Sequence, residues 1–133
     1  MQQITLRLRP GQCLKEEIER LAIDRKIKAG VILAAVGGLE NAVLRLSKLD
    51  NGEHVMKHMD GPFELVSCMG TISMDGCHIH FSVSDREGKC YGGHLKDGCR
   101  VFVTIELVIG VFEDVTYSRV MDQETGFKEL HVE

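Results

Sequence analysis

The segment at residues 77–84 alternates polar and apolar residues without exception, with every polar residue at an even position. Such strict alternation is the pattern of a β-strand that buries one face and exposes the other. Asp75-Gly76 separates this segment from another apolar-rich stretch at residues 65–74, and Asp-Gly is a preferred two-residue hairpin turn. The sequence therefore predicts a β-hairpin at residues 65–84. The cross-strand pairs expected from that turn are Ser73 with His78 and Thr71 with His80.

Most of the other segments also predict strands, and only one predicts a helix. The helix is expected at residues 14–25, where Leu14, Ile18, Leu21 and Ala22 recur at helical spacing. Strands are expected at residues 4–9, 31–36, 42–49, 54–59, 89–95, 101–112, 116–121 and 127–132. Turns are expected at Gly37-Gly38, Asn51-Gly52 and Asp60-Gly61-Pro62. The fold class predicted from this pattern is α+β (α/β), with a mostly antiparallel β-sheet and one main helix packed on it.

The length and composition suit one compact domain spanning residues 1–133. The chain has 133 residues, of which 44% are hydrophobic, and this is enough to form a core. No apolar run reaches the roughly 18 residues of a membrane span, and the N-terminus lacks the pattern of a signal peptide. We therefore expect a cytoplasmic protein with no membrane partner.

The charge argues against a strong DNA-binding domain, and the cysteine content argues against a disulfide framework or a zinc knuckle. Sixteen basic and twenty acidic residues give a net charge of -4, whereas DNA-binding domains usually carry a basic excess or patch. DNA binding by the isolated chain is therefore expected to be weak. The five cysteines are odd in number and contain no Cys-x-x-Cys pair, so reduced thiols are expected rather than a disulfide framework or a zinc knuckle.

The register of the next hairpin brings three histidines together. A three-residue loop at residues 86–88 places Lys89 opposite Asp85, and the same register places His94 opposite His80. A slip of one residue would turn Leu95 to the polar face and His94 into the core, so the alternation favours this register. His78 lies two residues from His80 and projects from the same face.

Three histidines on adjacent strands predict a site for a divalent metal, with zinc the expected ion. Opposed residues have Cβ atoms about 4.5–5.5 Å apart, so His78, His80 and His94 are close enough to share an ion with an open fourth position. Gly92-Gly93 would leave space for a ligand to approach. The alternative is that the three are surface or interface histidines hydrogen-bonded to Ser73, Ser82 and Thr71. His54 and His58 flank Met56 on what the pattern predicts to be a solvated face.

Glu106 is the one charge inside an apolar run at residues 101–109, so a buried carboxylate is expected there. One interpretation pairs it with Arg45 or Arg100, within the chain or across a subunit boundary. The other makes Glu106 an acid or base at the histidine site, and it is the candidate catalytic residue. A strand this apolar needs cover on both faces, and one cover could be another subunit.

Several motifs together resemble the PPC (plants and prokaryotes conserved) domain family, and the likeness spans essentially the whole chain. The motifs are GPFELVS at residues 61–67, DGCHIH at 75–80, SVSD at 82–85, GGHL at 92–95 and TIELVI at 104–109. The resemblance implies a compact α/β domain with a mostly antiparallel sheet that assembles as a homotrimer. Similarity to the prokaryotic branch implies a metal site at His78, His80 and His94.

Plant members of that family join the domain to AT-hooks that enter the DNA minor groove, and they contact transcription factors through a segment similar to residues 61–66. No AT-hook is present here, because the nearest likeness, residues 7–10, misses the central glycine. The resemblance thus implies a stand-alone trimeric PPC-domain protein that binds DNA or regulates, with a possible protein partner. The alternative is a metal-dependent enzyme on a small molecule, in which the three histidines hold zinc, water is the nucleophile and Glu106 assists.

Overall fold

The structure is a computed structural model that describes residues 1–133 as eight strands and one helix. The elements are β1 (Gln2–Leu8), α1 (Leu14–Asp24), β2 (Gly30–Lys48), β3 (His54–Ser73), β4 (Gly76–Ser84), β5 (Cys90–Leu95), β6 (Val101–Val111), β7 (Tyr117–Met121) and β8 (Lys128–Val132). Six strands form one antiparallel sheet in the order β1-β6-β2-β3-β4-β5. The last two strands form a separate hairpin.

The large sheet closes on itself, because β2 pairs with β5 as well as with β3. Strands β2, β3, β4 and β5 therefore make a closed ring. Phe81 and Leu95 are buried in the hydrophobic core, while the histidines that precede them, His80 and His94, lie on the opposite face of their strands. The outer face of this ring carries the histidines.

Closure of the ring depends on a glycine in β5. A Cβ at Gly93 would lie 2.8 Å from the backbone oxygen of Arg45 and 2.9 Å from Cδ1 of Leu44. Only a residue without a side chain lets the two strands approach this closely. The structure thus gives Gly93 a role in strand packing that the sequence did not predict.

The predicted α+β (α/β) class is wrong. Strands make up 63% of the chain and the single helix only 8%, which makes this a small β-rich domain. The mismatch arises because β2 and β3 are 19 and 20 residues long and run through two points where turns were predicted. At Gly37-Gly38 the chain shifts register against β6 and continues as a strand, and β3 likewise runs through residues 60–62.

The helix and the hairpin of β3 and β4 agree better with the sequence-based predictions than the fold class does. The helix begins at Leu14 as predicted and ends one residue early, and its buried face consists of Leu14, Ile18 and Ala22. No helix of the chain is both long and apolar enough to cross a lipid bilayer. The predicted hairpin of β3 and β4 exists, but its register differs by two residues, with Thr71 opposite His78 and Met69 opposite His80. The two-residue loop is Met74-Asp75 rather than Asp75-Gly76.

Candidate metal centre

The pairing of β4 with β5 agrees with the predicted register, and it places His80 directly opposite His94. Across the ring closure, His94 is also the direct partner of Arg45 on β2. Opposed residues of antiparallel strands project from the same face. His80, His94 and Arg45 therefore form a row across β4, β5 and β2 on the outer surface, and His78 lies beside this row.

The three imidazoles are within reach of a single ion. Ligand nitrogens of His78, His80 and His94 all lie within 4.8 Å of one another. Nε2 of His78 is 3.2 Å from Nε2 of His80. Two nitrogens bound to one tetrahedral zinc at about 2.0–2.1 Å lie about 3.3–3.4 Å apart, so this pair already has the spacing of zinc ligands. The donor set fits a divalent metal of the zinc type.

The surroundings of the cluster favour neutral imidazoles, which is the form that binds metal. Partial burial lowers the pKa of His94 to about 4, and the nearby positive charge of Arg45 adds to the effect. Burial also lowers the pKa of His78, and the neighbouring His80 lowers it to a smaller extent. His94 can therefore offer a lone pair at neutral pH without first losing a proton.

The guanidinium of Arg45 is hydrogen-bonded to this lone pair of His94. Its Nη2 lies 3.3 Å from Nδ1 of His94. A guanidinium has only donors, so Nδ1 of His94 must be the acceptor and the proton of the neutral ring must reside on Nε2. In this arrangement His94 has no free ring nitrogen for a metal.

Two cavities flank the contact between Arg45 and His94. The larger one, which we call the hairpin cavity, has a volume of about 420 Å³ and is lined by His78, His94, Arg45, Glu19, Asp75, Gly76, Cys77, Arg119, Phe127, Lys128 and Glu129. The second, of about 360 Å³, lies over all three histidines and Gly92-Gly93. The fourth position of a bound ion would thus be reached from open, polar space.

The β7–β8 hairpin forms one wall of the hairpin cavity, and several contacts hold it to the rest of the chain. Just before β8, Phe127 stacks on His54 with ring centroids 5.7 Å apart, so His54 is partly covered on what is otherwise a solvated strand. On β7, the backbone N–H of Arg119 donates to Asp75, and its guanidinium donates to the hydroxyl of Thr71. No sequence signal placed this hairpin beside the histidines.

The alternative hydrogen-bond partners predicted for the histidines bond elsewhere. Thr71 accepts from Arg119, and the hydroxyls of Ser67 and Ser82 bond to each other. The hydroxyl of Ser73 bonds to the backbone of the β3–β4 turn. None of these hydroxyls holds a histidine in place.

Glu106 is far less buried than its apolar neighbours suggested. It lies exposed on β6 opposite Val36 and lines neither cavity at the histidines. The expected burial within the chain is therefore wrong, because the side of β6 that carries Glu106 is not covered. Neither predicted arginine pairs with it, since Arg100 binds Glu40 and Arg45 contacts His94.

The cysteines are all free thiols, as expected from the sequence. Cys77 is the one that lines the hairpin cavity. Burial, together with the smaller effect of the neighbouring Glu19 carboxylate, raises the pKa of Cys77 to about 12. Cys77 is not part of the cluster whose ligand atoms lie within reach of one ion, which consists of the three histidines.

The model of the Plants and Prokaryotes Conserved (PCC) domain family matches residues 1–113. This part contains the three histidines and Arg45, whereas β7 and β8 lie beyond it. The bifunctional protein GlmU of a Synechococcus strain is 41% identical over 128 residues, which cover 96% of this chain. Those residues are 20% of that protein, so the chain spans about a fifth of the length of the curated relatives it matches.

Solved structures with the same architecture cover nearly the whole chain. A hypothetical protein from Salmonella enterica has a TM-score of 0.93 at 34% identity, over 99% of this chain and 93% of that one. A metal-containing protein from Archaeoglobus fulgidus has a TM-score of 0.83 at 30% identity, over 98% and 94%. A Bacteroides thetaiotaomicron protein provisionally described as DNA-binding has a TM-score of 0.87 at 17% identity, over 97% and 91%, and that likeness shows a shared fold alone.

Proposed function

Because this chain belongs to the Plants and Prokaryotes Conserved domain family, we propose that it is a metal-binding member that acts by assembly and binding. His78, His80 and His94 hold a divalent ion, with zinc the expected metal. The observation that carries this proposal is the 3.2 Å separation of the His78 and His80 Nε2 atoms, with His94 within reach of both. The metal content of the Archaeoglobus fulgidus relative supports it.

The assembly that we propose is a homotrimer. Four exposed apolar side chains lie on the neighbouring strands β2 and β6, namely Leu33, Val36, Phe102 and Val103. Soluble chains rarely leave such a surface uncovered, so self-association is the simplest way to bury it. The number three comes from the family resemblance. The segment at residues 61–66 is the proposed contact for a protein partner.

DNA contact by the isolated chain is proposed to be weak. A DNA-associated role is what the family resemblance implies, and a Bacteroides thetaiotaomicron protein of the same fold is provisionally described as DNA-binding. Against strong binding stands the net charge of -4, which leaves little capacity to neutralise phosphates. Regulation through assembly with other proteins is therefore the form of DNA-associated function that we favour.

A second candidate function is a metal-dependent enzyme that acts on a small molecule. The hairpin cavity favours it, since its volume of about 420 Å³ lies within the usual range for small-molecule sites. A bound zinc ion would supply a water of lowered pKa. The chain's own part would be to orient a substrate with Arg45 and Arg119. Glu106 lines neither cavity, so it would not reach a substrate there.

Metal analysis of the purified protein tests the first proposal. Protein expressed in metal-replete medium and never exposed to chelator should contain about one divalent ion per three-histidine cluster. Elemental mass spectrometry identifies the ion and its stoichiometry. Protein that contains no metal and does not take up added zinc would contradict the proposal.

A further inference from the structure

The hairpin cavity carries three cationic side chains that lack an acidic partner. Arg45, Arg119 and Lys128 line it, and none of them forms an ion pair. Arg45 contacts only the ring of His94, and the guanidinium of Arg119 donates to the neutral hydroxyl of Thr71. Guanidinium groups arranged in this way are suited to bind carboxylate or phosphate oxygens.

Of the three acidic residues of the cavity, only Glu19 forms an ion pair, and the other two accept hydrogen bonds from neutral groups. Glu19 accepts from Lys15 Nζ at 2.8 Å, and Asp75 accepts from the backbone N–H of Arg119 at 2.7 Å. Glu129 accepts from the hydroxyl of Thr125 at 2.9 Å. A divalent ion at the histidines would add further positive charge beside the free cations. With this ion bound, the positive charge of the three unpaired cations and the metal exceeds the negative charge of the two unpaired carboxylates, which favours an anionic ligand.

Arg45 links the cavity to the metal centre through a single ring nitrogen. A neutral imidazole has one lone pair, and the contact with Arg45 uses the lone pair on Nδ1 of His94. Metal binding through Nδ1 would displace Arg45 directly. Metal binding through Nε2 would move the proton to Nδ1, which then could not accept from Arg45. Either way, coordination of His94 frees the guanidinium.

We propose that the hairpin cavity binds a small oxyanion, either a carboxylate or a phosphate, through Arg45, and that this anion and the metal bind cooperatively. The inference rests on the proposed metal site. Without metal, Arg45 is hydrogen-bonded to His94. With metal, Arg45 binds the anion instead and stabilises the protein that carries both metal and anion. Binding linkage is reciprocal, so the anion must raise the affinity for metal by the same factor that the metal raises the affinity for the anion.

Calorimetric titration of zinc into the full chain tests the coupling. Three parallel titrations are carried out at equal ionic strength, one in chloride alone, one with inorganic phosphate and one with acetate. One of the two oxyanions should raise zinc affinity about 5- to 150-fold. Enhancement by phosphate identifies a phosphate ligand, and enhancement by acetate identifies a carboxylate. If zinc binds equally in all three solutions, the coupling is wrong while the metal site stands. If zinc does not bind at all, both proposals fail.

Variants separate Arg45 from general charge effects. Arg45→Gln should abolish the enhancement, and its zinc affinity in chloride should equal or exceed that of the wild type because a competitor for His94 is gone. Arg25→Gln removes the same charge from an exposed side chain that makes no hydrogen bond or ion pair, and it should behave like the wild type. Enhancement that persists in Arg45→Gln would overturn the assignment.

Nitrogen NMR of the histidine rings gives a readout that does not depend on zinc. In the metal-free wild type, His94 should carry its proton on Nε2, since Arg45 donates to Nδ1. Arg45→Gln should release this constraint and change the tautomer ratio. A proton found on Nδ1 in the metal-free wild type would show that Arg45 does not hold the ring, and the proposed coupling would fall.

Discussion

Nε2 of His78 lies 3.2 Å from Nε2 of His80, from side chains two residues apart on one strand. Without a metal, one of these nitrogens must carry a proton that it donates to the other. With a metal, both lone pairs can turn to the ion at nearly the same spacing. Metal binding at this pair therefore requires the loss of one N–H bond and little movement of the strand.

The clearest test of the centre is removal of its middle ligand. His80→Ala should reduce zinc affinity at least about 10-fold, because a three-histidine site loses a direct bond and keeps only two ligands. Calorimetry with zinc measures the effect. His58→Ala is the matched control, since His58 is an exposed histidine on β3 that lines neither cavity. Equal zinc affinity in the two variants would refute the site.

The stability of the metal-free protein should depend on pH through His94. Its pKa of about 4 in the folded chain lies below the ordinary value of 6.5, so between these values the unfolded chain binds more protons. The free energy of unfolding should therefore fall as pH decreases from about 6.5 to 4. Urea unfolding in the presence of chelator measures it. His94→Gln should weaken this dependence, and an unchanged slope would show that His94 is not the cause.

Neighbouring glycines in β5 should respond differently to the same substitution. Gly93→Ala should destabilise the fold by about 1–3 kcal/mol, because its Cβ would lie 2.8 Å from the backbone oxygen of Arg45. Gly92→Ala meets its nearest atom at 3.1 Å and should cost less. Thermal unfolding compares the two. Equal stability of the two variants would argue against ring closure at Gly93.

Light scattering should give a mass about three times the chain mass of 14.8 kDa. Val36→Glu should lower that mass to the monomer, since it places a charge on the exposed apolar surface next to Glu106. Val120→Glu changes a valine of similar exposure on β7, 51% against 56%, and should leave the trimer intact. A monomeric wild type at micromolar concentration would contradict the proposed assembly.

DNA binding by the isolated chain should be weak, indifferent to sequence and strongly dependent on salt. The basic residues Arg25, Lys26 and Lys28 follow the helix and are all exposed. A trimer would present this cluster three times. Gel-shift titration at about 150 mM salt measures the affinity. Submicromolar and sequence-selective binding without a partner would restore direct DNA recognition as the main function.

The local pattern of residues 77–95 was enough to predict that His78, His80 and His94 share a surface. Alternation determines which face each side chain occupies, and a short loop determines the register of the strands that it joins. The same reasoning predicted the helix and the final hairpin closely. For β3 and β4 it predicted the correct faces but a register two residues away, because a slip of two preserves the alternation and leaves the pattern unchanged.

Only the tertiary structure decided what surrounds the histidines. Arg45 meets His94 across 49 residues of sequence, and Arg119 reaches Thr71 across 48. Such contacts follow from the closure of the ring and from the position of the β7–β8 hairpin, which local periodicity does not encode. The burial of Glu106 could not be predicted locally either. The apolar run around it predicted burial, but burial depends on what packs over β6. The sequence by itself determined that the three histidines share a face, because alternation sets the face of each side chain, and the fold determined that Arg45 contacts one of them, because that contact depends on ring closure.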